Sequence, residues 1–228
     1  TLDGLRPVGA PATWVLSSHD ETRHATRLGR SDTRAWVMGF DADPTSELDL
    51  GTRRARAAAL LQLALPGMAC LYQGDELGLA EVIDLPEELL QDPIWERSGH
   101  TSRGRDGCRV PLPWAGSDPP FGFSPAGTST WLPQPPDWRE LSVEAQSQDP
   151  DSMLNLYRAA LSLRRRLPDL CSEDFRWRPA PSGILAFRRG AGFKCVVNLT
   201  DSARPLDLDG WRVLLSSGPL SGSLLPPD

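Results

Sequence analysis

The chain lacks the features that mark nucleic-acid-binding, membrane and secreted proteins. Its net charge is −6, and acidic and basic residues are mixed along it, which argues against a phosphate backbone as partner. No apolar run approaches the roughly 20 residues needed to span a bilayer. No secretory signal opens the chain, whose first residue is Thr1. We therefore expect no nucleic-acid partner, no membrane partner and a cytoplasmic location.

Cysteine is scarce, and metal-ligand patterns are missing. The cysteines are Cys70, Cys108, Cys171 and Cys195. They show neither CxxC spacing nor a dense framework, which favours free thiols. Cys70 and Cys195 lie in apolar runs, where a thiol packs as a small hydrophobic side chain. Because His24 and His100 show no ligand spacing with a cysteine or a carboxylate pair, the sequence predicts no metal and no cofactor.

Two short apolar runs, rich in strand-forming residues, each end in polar residues. Residues 12–16 (A-T-W-V-L) lead into S-S-H-D at 17–20, and residues 68–72 (M-A-C-L-Y) lead into Q-G-D-E at 73–76. Strands that alternate with helices and are apolar on both sides indicate a parallel sheet covered on both faces. In such α/β architectures, ligand chemistry takes place at the carboxyl ends of the strands.

Helical spacing predicts a helix from about Asp49 to Leu65 between these strands, ended by Pro66-Gly67. Its expected buried positions are Leu50, Ala57, Leu60, Leu61, Ala64 and Leu65. Residues 81–150 form a long loop rich in proline and tryptophan, and a second helix comes after it at 151–166.

The remainder of the chain, from about residue 172, is predicted to be all β. Residues 193–199 and 211–215 alternate apolar and other side chains with a period of two, which is typical of half-buried strands. Gly190-Ala191-Gly192 and Asp209-Gly210 are hairpin signals between these runs.

Three segments carry candidate site residues. His19-Asp20, at the end of a predicted strand, can hydrogen-bond sugar hydroxyls, and the carboxylate can stabilise developing positive charge; a turn or helix cap is the alternative. For residues 73–76 a structural role is favoured, with Gly74 permitting a tight turn and the two acids capping the next segment. Residues 103–109 carry three arginines, which could bind a ligand, but from the residues alone a solvated turn with local Arg–Asp pairs is favoured.

Taken together and in this order, the segments resemble the α-amylase-type glycoside hydrolases, in particular the α-glucosidase and oligo-1,6-glucosidase branch. The matching motifs are V-L-S-S-H-D at 15–20, L-P-G-M-A-C-L-Y-Q-G-D-E-L-G-L at 65–79, G-R-D-G-C-R-V-P-L-P-W at 104–114 and the helix at 151–166. The resemblance implies an α/β fold, the C-terminal part of a (β/α)8 TIM barrel at 1–167 that includes the loop 81–150, followed by a small antiparallel β-sandwich domain at 168–228.

The resemblance also implies roles for individual residues. Asp20 is expected to be the transition-state stabiliser, with His19 as its catalytic neighbour that helps hold the sugar. Arg105 is expected to bind the glucose, and Arg109 to have a supporting role. Ser18 stands where the family usually has Asn, so the two-sided hydrogen bonding of the amide is lost there. The family's nucleophile and acid/base lie on earlier strands, so the chain is expected to be a C-terminal fragment without them.

Three functions fit this resemblance. The first is hydrolysis of terminal α-linked glucose from short oligosaccharides of the maltose or isomaltose type by a retaining glycosidase, with the fragment itself inactive. The second is glucosyl transfer or isomerisation that forms trehalose-like or isomaltulose-like products. The third is a non-catalytic barrel relative that acts as a binding partner.

Overall fold

The computed structural model describes residues 2–31 and 46–227, apart from the side chain of Arg6. These residues fall into two compact units: the first combines 1–15, 56–70 and 157–228, and the second combines 16–55 and 71–156. The predicted domain boundary between residues 167 and 168 stays a prediction.

The regular elements are short, apart from two long helices and one hairpin. The helices are α1 Leu2–Leu5, α2 His24–Leu28, α3 Leu48–Ala64, α4 Ile94–Arg97, α5 Val143–Gln148, α6 Met153–Arg166 and α7 Pro168–Cys171. The strands are β1 Thr13–Val15, β2 Met68–Cys70, β3 Phe175–Trp177, β4 Ile184–Arg189, β5 Phe193–Asn198, β6 Arg204–Pro205 and β7 Leu224–Leu225. None of these helices is both long and apolar enough to cross a membrane.

The first unit contains the predicted parallel strand pair. β1 and β2 pair in parallel, with Thr13 opposite Met68 and Val15 opposite Cys70, which confirms the parallel arrangement. The buried side chain of Gln62 holds the two strands together, because its Nε2 donates to Trp14 O at 2.8 Å and to Cys70 O at 3.0 Å. A buried amide that joins two strand carbonyls satisfies groups that the two-stranded ladder leaves unpaired.

One face of this strand pair is open, which corrects the expected cover on both faces. Side chains at alternate positions point to the same face of a sheet. Val15 and Met68 are 53% and 54% exposed there, and Cys70 is exposed as well. Nothing among residues 2–31 and 46–227 covers this face, so the prediction of a packed Cys70 is wrong.

Helix α3 confirms the predicted helix to within one residue at each end, but its buried face differs. The buried positions include Gly51, Ala55, Ala59 and Leu63; of the six expected positions Ala64 is buried, whereas 50, 57, 60, 61 and 65 are half-buried. Apolar residues occupy every side of the helix in the run A-A-A-L-L-Q-L-A. Their spacing alone therefore did not show which face is buried. Small residues permit close contact: a Cβ on Gly51 would lie 2.0 Å from Ala25 O.

The first unit also contains the antiparallel sheet β3-β4-β5 and the separate pair β6-β7. The predicted hairpin at 190–192 is confirmed, with Arg189 opposite Phe193 across the turn. The predicted strand at 211–215 is wrong, because Val213 and Leu214 are both exposed and no alternation exists. Trp211 instead lies 5.0 Å from the guanidinium of Arg188. A sandwich stays a prediction.

The second unit has little regular structure and a compact core. The core residues of its main cluster come from the segment 77–154, which contains only short helices apart from the first residues of α6. They are Leu77, Leu79, Val82, Leu85, Val110, Leu112, Phe121, Leu132, Trp138 and Leu154. Burial of this many large apolar side chains fixes the course of a loop that has no strand ladder of its own.

Candidate active site

Buried hydrogen bonds hold the turn after β1, and two of its side chains are exposed to solvent. The buried Ser17 Oγ accepts a hydrogen bond from His24 N at 3.0 Å and lies 2.8 Å from His24 Nδ1. Asp20 N donates to Ser18 Oγ at 3.1 Å. The side chains of His19 and Asp20 are 66% and 51% exposed, with His19 Nε2 at 3.2 Å from Asp20 Oδ2. This geometry suits contact with a ligand from solution.

The segment 73–76 forms the predicted turn at Gly74, but the two acids accept hydrogen bonds from preceding residues and do not cap the next segment, so that part of the prediction is wrong. Gly74 has φ of 91°, a conformation that glycine adopts without strain. The buried Asp75 accepts a hydrogen bond from Tyr72 N at 3.2 Å, and Glu76 accepts one from Gly74 N at 2.8 Å. Asp75 Oδ1 also lies 3.3 Å from His24 Nδ1. Its carboxylate therefore supports the turn that carries His19 and Asp20.

The structure brings Arg105 and Arg109 to Asp20. Arg105 Nη1 donates to Asp20 Oδ1 at 2.6 Å, and Arg109 Nη2 lies 3.5 Å from the same oxygen. Arg109 Nε donates to His19 O at 3.0 Å. The four residues predicted from two distant segments therefore form one cluster. Asp20 is half exposed, so these ion pairs contribute orientation rather than much stability.

Asp92 holds Arg105 in this position, and sequence reasoning missed it. Its carboxylate accepts hydrogen bonds from Arg105 Nε at 2.5 Å, from Nη2 at 3.1 Å and from the backbone N at 3.0 Å. The Asp92 side chain is buried, and the hydrogen bond from the Arg105 side chain lowers its pKa to about 2. Asp92 thus occupies the Nε and Nη2 edge of the guanidinium, while Nη1 points to Asp20.

Asp106 in turn fixes Asp92. Its buried carboxylate accepts hydrogen bonds from the backbone N of Gln91 and, at 2.9 Å, from that of Asp92. The only signal in the sequence was Asp92-Pro93, a dipeptide that favours turn initiation and says nothing about a partner arginine. Within the loop 81–150, Asp106 therefore holds Asp92, and Asp92 holds Arg105.

Arg23 joins the segments that contain Gln73, Glu81 and Cys108. The fully buried guanidinium donates to Gln73 O at 2.9 Å and to Cys108 O at 2.8 Å. Its backbone N donates to Glu81 Oε2 at 3.0 Å. Burial raises the pKa of the Cys108 thiol to about 12, so this cysteine stays protonated at neutral pH and is a poor nucleophile.

Gly107 allows the Arg105 loop to lie against the backbone of Val82. A Cβ on Gly107 would lie 2.4 Å from Val82 O and 2.6 Å from Glu81 Oε1. We expect Gly107→Ala to lower the free energy of unfolding by about 1–3 kcal/mol, because overpacking forces backbone shifts. Urea unfolding measures this, with Gly4→Ala as control, since a Cβ on Gly4 has nothing within 4 Å. Equal unfolding midpoints for the two variants would contradict the close packing.

No group of three or more His, Cys, Asp or Glu side chains within the described ranges 2–31 and 46–227 is arranged to hold a metal ion. The polar groups of the cluster are instead hydrogen-bond donors and acceptors on an exposed rim, which is the chemistry that binds sugar hydroxyls. The sequence profile of the alpha-amylase family, described as "Alpha amylase, catalytic domain", matches residues 5–173.

The chain belongs to the alpha-amylase family. A probable alpha-glucosidase of Rhizobium meliloti (strain 1021) is 35% identical over 205 residues, which cover 89% of this chain and 34% of that protein. The trehalose synthase/amylase TreS of Mycobacterium tuberculosis (strain ATCC 25618 / H37Rv) is 30% identical over 230 residues, covering 89% of this chain and 35% of that protein. The chain thus spans about a third of the length of the curated relatives it matches.

Solved structures of the alpha-amylase family share this fold. The alpha-glucosyl transfer enzyme XgtA has a TM-score of 0.69 and 28% identity, covering 99% of this chain and 41% of its own. The trehalulose synthase MutB, as an E254Q mutant in complex with the substrate sucrose, has a TM-score of 0.72, covering 99% of this chain and 44% of its own. At 22% identity, MutB supports the fold alone. The family therefore includes hydrolases and transferases.

Proposed function

We propose that Asp20, His19 and Arg105 form part of the glucose-binding site of a retaining α-glucosidase. The reaction is hydrolysis of terminal α-linked glucose from short oligosaccharides of the maltose or isomaltose type. The observation that carries this proposal is the half-exposed carboxylate of Asp20, held by Arg105 Nη1 at 2.6 Å and bordered by His19 Nε2 at 3.2 Å. The relative named probable alpha-glucosidase supports it.

Each residue has a physical role in this proposal. Cleavage of a glycosidic bond passes through an oxocarbenium-like transition state, which a nearby carboxylate stabilises more than the uncharged ground state. Asp20 provides that carboxylate and accepts hydrogen bonds from sugar hydroxyls. His19 and Arg105 donate to the sugar, and Arg109 restrains the turn through His19 O. The nucleophile and the acid/base belong to strands outside residues 1–228.

We expect the isolated chain to release no glucose from maltose or isomaltose. A retaining mechanism needs two carboxylates about 5–5.5 Å apart, and neither is assigned to this chain. Incubation of purified protein with each sugar, followed by glucose quantification, tests this expectation. A matched preparation of Asp20→Asn reveals any contaminating glucosidase, because contamination would be the same in both. Turnover that is lost in the variant would place the full catalytic machinery within these residues and overturn the proposal.

Glucosyl transfer or isomerisation is the second candidate. It is favoured by the relatives TreS and XgtA, whose names describe a trehalose synthase/amylase and an alpha-glucosyl transfer enzyme. The outcome depends on whether water or a second sugar reaches the covalent intermediate. Product analysis of a polypeptide with the whole catalytic domain, supplied with maltose and with sucrose, separates free glucose from trehalose-like or isomaltulose-like disaccharides.

A non-catalytic binding partner is the third candidate, and we rank it last because the His19, Asp20 and Arg105 set is intact. The coding DNA upstream of Thr1 distinguishes it from the enzymes. An in-frame extension that encodes an Asp nucleophile and a Glu acid/base supports the glucosidase, whereas replacement of both residues supports the binding role. We also propose a cytoplasmic location, which the four free cysteines support.

A further inference from the structure

The side chain of Glu81 lies between the two segments that meet at Asp20 and Arg105. The Asp20 cluster consists of His19, Asp20, Arg105 and Arg109. Glu81 Oε2 accepts a hydrogen bond at 3.0 Å from Arg23 N, which follows Asp20 by three residues. Glu81 Oε1 lies against Gly107, since a Cβ on that glycine would be 2.6 Å from it. One carboxylate therefore contacts the segment of Asp20 through one oxygen and the segment of Arg105 through the other.

The backbone beside this carboxylate is bonded to the same two segments. Glu81 N donates to Thr26 Oγ1 at 2.8 Å, and Thr26 lies in α2. Val82 N donates to Gly107 O at 3.2 Å. These two hydrogen bonds fix the backbone from which the Glu81 side chain extends, so the carboxylate is directed to one place.

The contact at Gly107 concerns both arginines of the Asp20 cluster. Gly107 is the middle residue of a 3-10 turn at 106–108, with Arg105 directly before the turn and Arg109 directly after it. A hydrogen bond at 3.3 Å from the third residue of this turn to Arg105 O closes it. A closed turn of this kind moves as a unit. The contact of Glu81 with Gly107 therefore sets the position of both arginines.

Glu81 is mostly buried and faces several ionisable groups. Burial raises its pKa from the ordinary value of 4.5 to about 7, although the hydrogen bond from Arg23 N and the positive charges of Arg23 and Arg30 oppose this rise. The thiol of Cys108 also faces it, and burial together with the charge of Glu81 raises the pKa of that thiol to about 12. Arg103 lines the same small cavity as Glu81 and Arg30.

The raised pKa means that the ionised carboxylate of Glu81 is unfavourable for the fold. The free energy of unfolding decreases as the pH rises from 4.5 to 7, because the unfolded chain releases the proton of this group more readily. A neutral side chain of the same size would avoid this cost. Ionisable groups with strongly shifted pKa values are concentrated at functional sites, which favours a role of Glu81 in the neighbouring cluster.

We infer that Glu81 is a positioning residue, whose carboxylate holds the turn that carries Asp20 in place against the loop that carries Arg105. The ion pair between Asp20 Oδ1 and Arg105 Nη1, at 2.6 Å, is open to solvent and is by itself a weak restraint. The contacts of Glu81 restrain the same two segments from a buried position. The inference rests on the proposed sugar-binding function of the Asp20 cluster.

Glu81→Met and Glu81→Gln test this role in a polypeptide with the whole catalytic domain. Methionine fills the space but has only a weakly accepting sulfur, whereas glutamine keeps an oxygen that accepts from Arg23 N. We expect Glu81→Met to raise KM for maltose by about tenfold with a smaller change in kcat, the scale of one lost hydrogen bond. Glu81→Gln should restore the KM of the parent. Glu88→Met, at an exposed position, is the matched control and should leave KM unchanged.

Crystal structures of the same variants measure the positioning without any activity. In Glu81→Met the distance between Asp20 Oδ1 and Arg105 Nη1 is expected to exceed about 3.5 Å, which is beyond hydrogen-bonding range. In Glu81→Gln and Glu88→Met it should stay at the 2.6 Å of the parent. An unchanged distance in Glu81→Met would overturn the inference. Failure of Glu81→Met to fold while Glu81→Gln folds would assign the carboxylate to stability and would overturn it as well.

The two readouts separate this inference from the proposed function. A longer Asp20–Arg105 distance in Glu81→Met together with the KM of the parent would support the positioning role and contradict sugar binding by the cluster. A distance that stays short in Glu81→Met, together with a large loss of kcat in Asp20→Asn, would support sugar binding and overturn the role of Glu81.

Urea unfolding at about pH 4 and about pH 8 tests the cost of the charge. Glu81→Gln has no ionised form, so its unfolding midpoint relative to the parent is expected to be higher at the upper pH than at the lower one. This gain is expected because Glu81 serves the site at the expense of the fold. A relative midpoint that falls between about pH 4 and about pH 8 would show that the charge stabilises the fold, and would overturn the inference.

Discussion

Replacement of Asp20 by Asn is expected to lower kcat by about 10²–10³-fold in a polypeptide that carries the whole catalytic domain. The amide keeps the size of the side chain but removes the negative charge that the proposal places beside the developing oxocarbenium ion. Folding should be unaffected, because Asp20 is 51% exposed and its ion pair with Arg105 is a surface pair. Steady-state kinetics with maltose and with isomaltose, together with thermal unfolding, measure both effects.

Asp137→Asn is a matched control for Asp20→Asn, since Asp137 is exposed and lies outside the cluster. It should leave kcat and stability unchanged. A kcat for Asp20→Asn equal to that of the parent would remove Asp20 from the site. A large loss of stability in Asp20→Asn would instead show that the carboxylate serves the fold.

Asp92→Asn is expected to raise KM by about tenfold, with a smaller change in kcat. Arg105 loses the carboxylate that holds its Nε and Nη2 edge, so the guanidinium no longer presents Nη1 in one orientation. One positioned hydrogen bond to a charged group contributes about 1.5–3 kcal/mol, and the lower end of this range corresponds to about a tenfold change in KM. Asp92 reaches the site through Arg105 and, at 3.8 Å, through Arg109 Nη1, so its role is positioning. The measurement is the separation of KM from kcat.

The lowered pKa of Asp92 also predicts that the free energy of unfolding depends on pH. Its folded pKa of about 2 lies below the ordinary value of 3.8. A carboxyl group whose pKa is lower in the folded chain than in the unfolded chain stabilises the fold above pH 4. This stabilisation is lost as the pH falls toward 2. The free energy of unfolding of the parent should therefore decrease by about 2 kcal/mol more than that of Asp92→Asn over this range. Parallel curves, or a loss of stability with unchanged KM, would contradict the positioning role.

The sequence predicted the residues that local pattern and motif define. His19 and Asp20 were singled out because they come directly after an apolar run, and Arg105 because the resemblance carried by G-R-D-G-C-R points to it; their roles stay predictions. The parallel pairing of β1 and β2 was expected from two apolar runs separated by a helix, and the structure has it. Their meeting in one cluster across 85 residues could only be expected from the resemblance.

Other features depend on packing that spacing does not encode. Asp92 and Asp106 act through hydrogen bonds across 13 and 14 residues in a loop with no periodicity, so no pattern pointed to them. Helix α3 is apolar on several sides, which left its buried face undetermined. The alternation at 211–215 resembled a strand, but no strand among residues 2–31 and 46–227 pairs with it. In these cases tertiary contacts outweigh local preference.

The anomeric form of the first sugar released from maltose tests the central proposal most directly. A polypeptide with the whole catalytic domain, followed by proton NMR in the first minutes of reaction, should release α-glucose, because a retaining mechanism preserves the configuration of the bond it cleaves. The same preparation with Asp20→Asn should release little. Initial release of β-glucose, or conversion of maltose to trehalose without free glucose, would contradict the account of this chain as part of a retaining α-glucosidase.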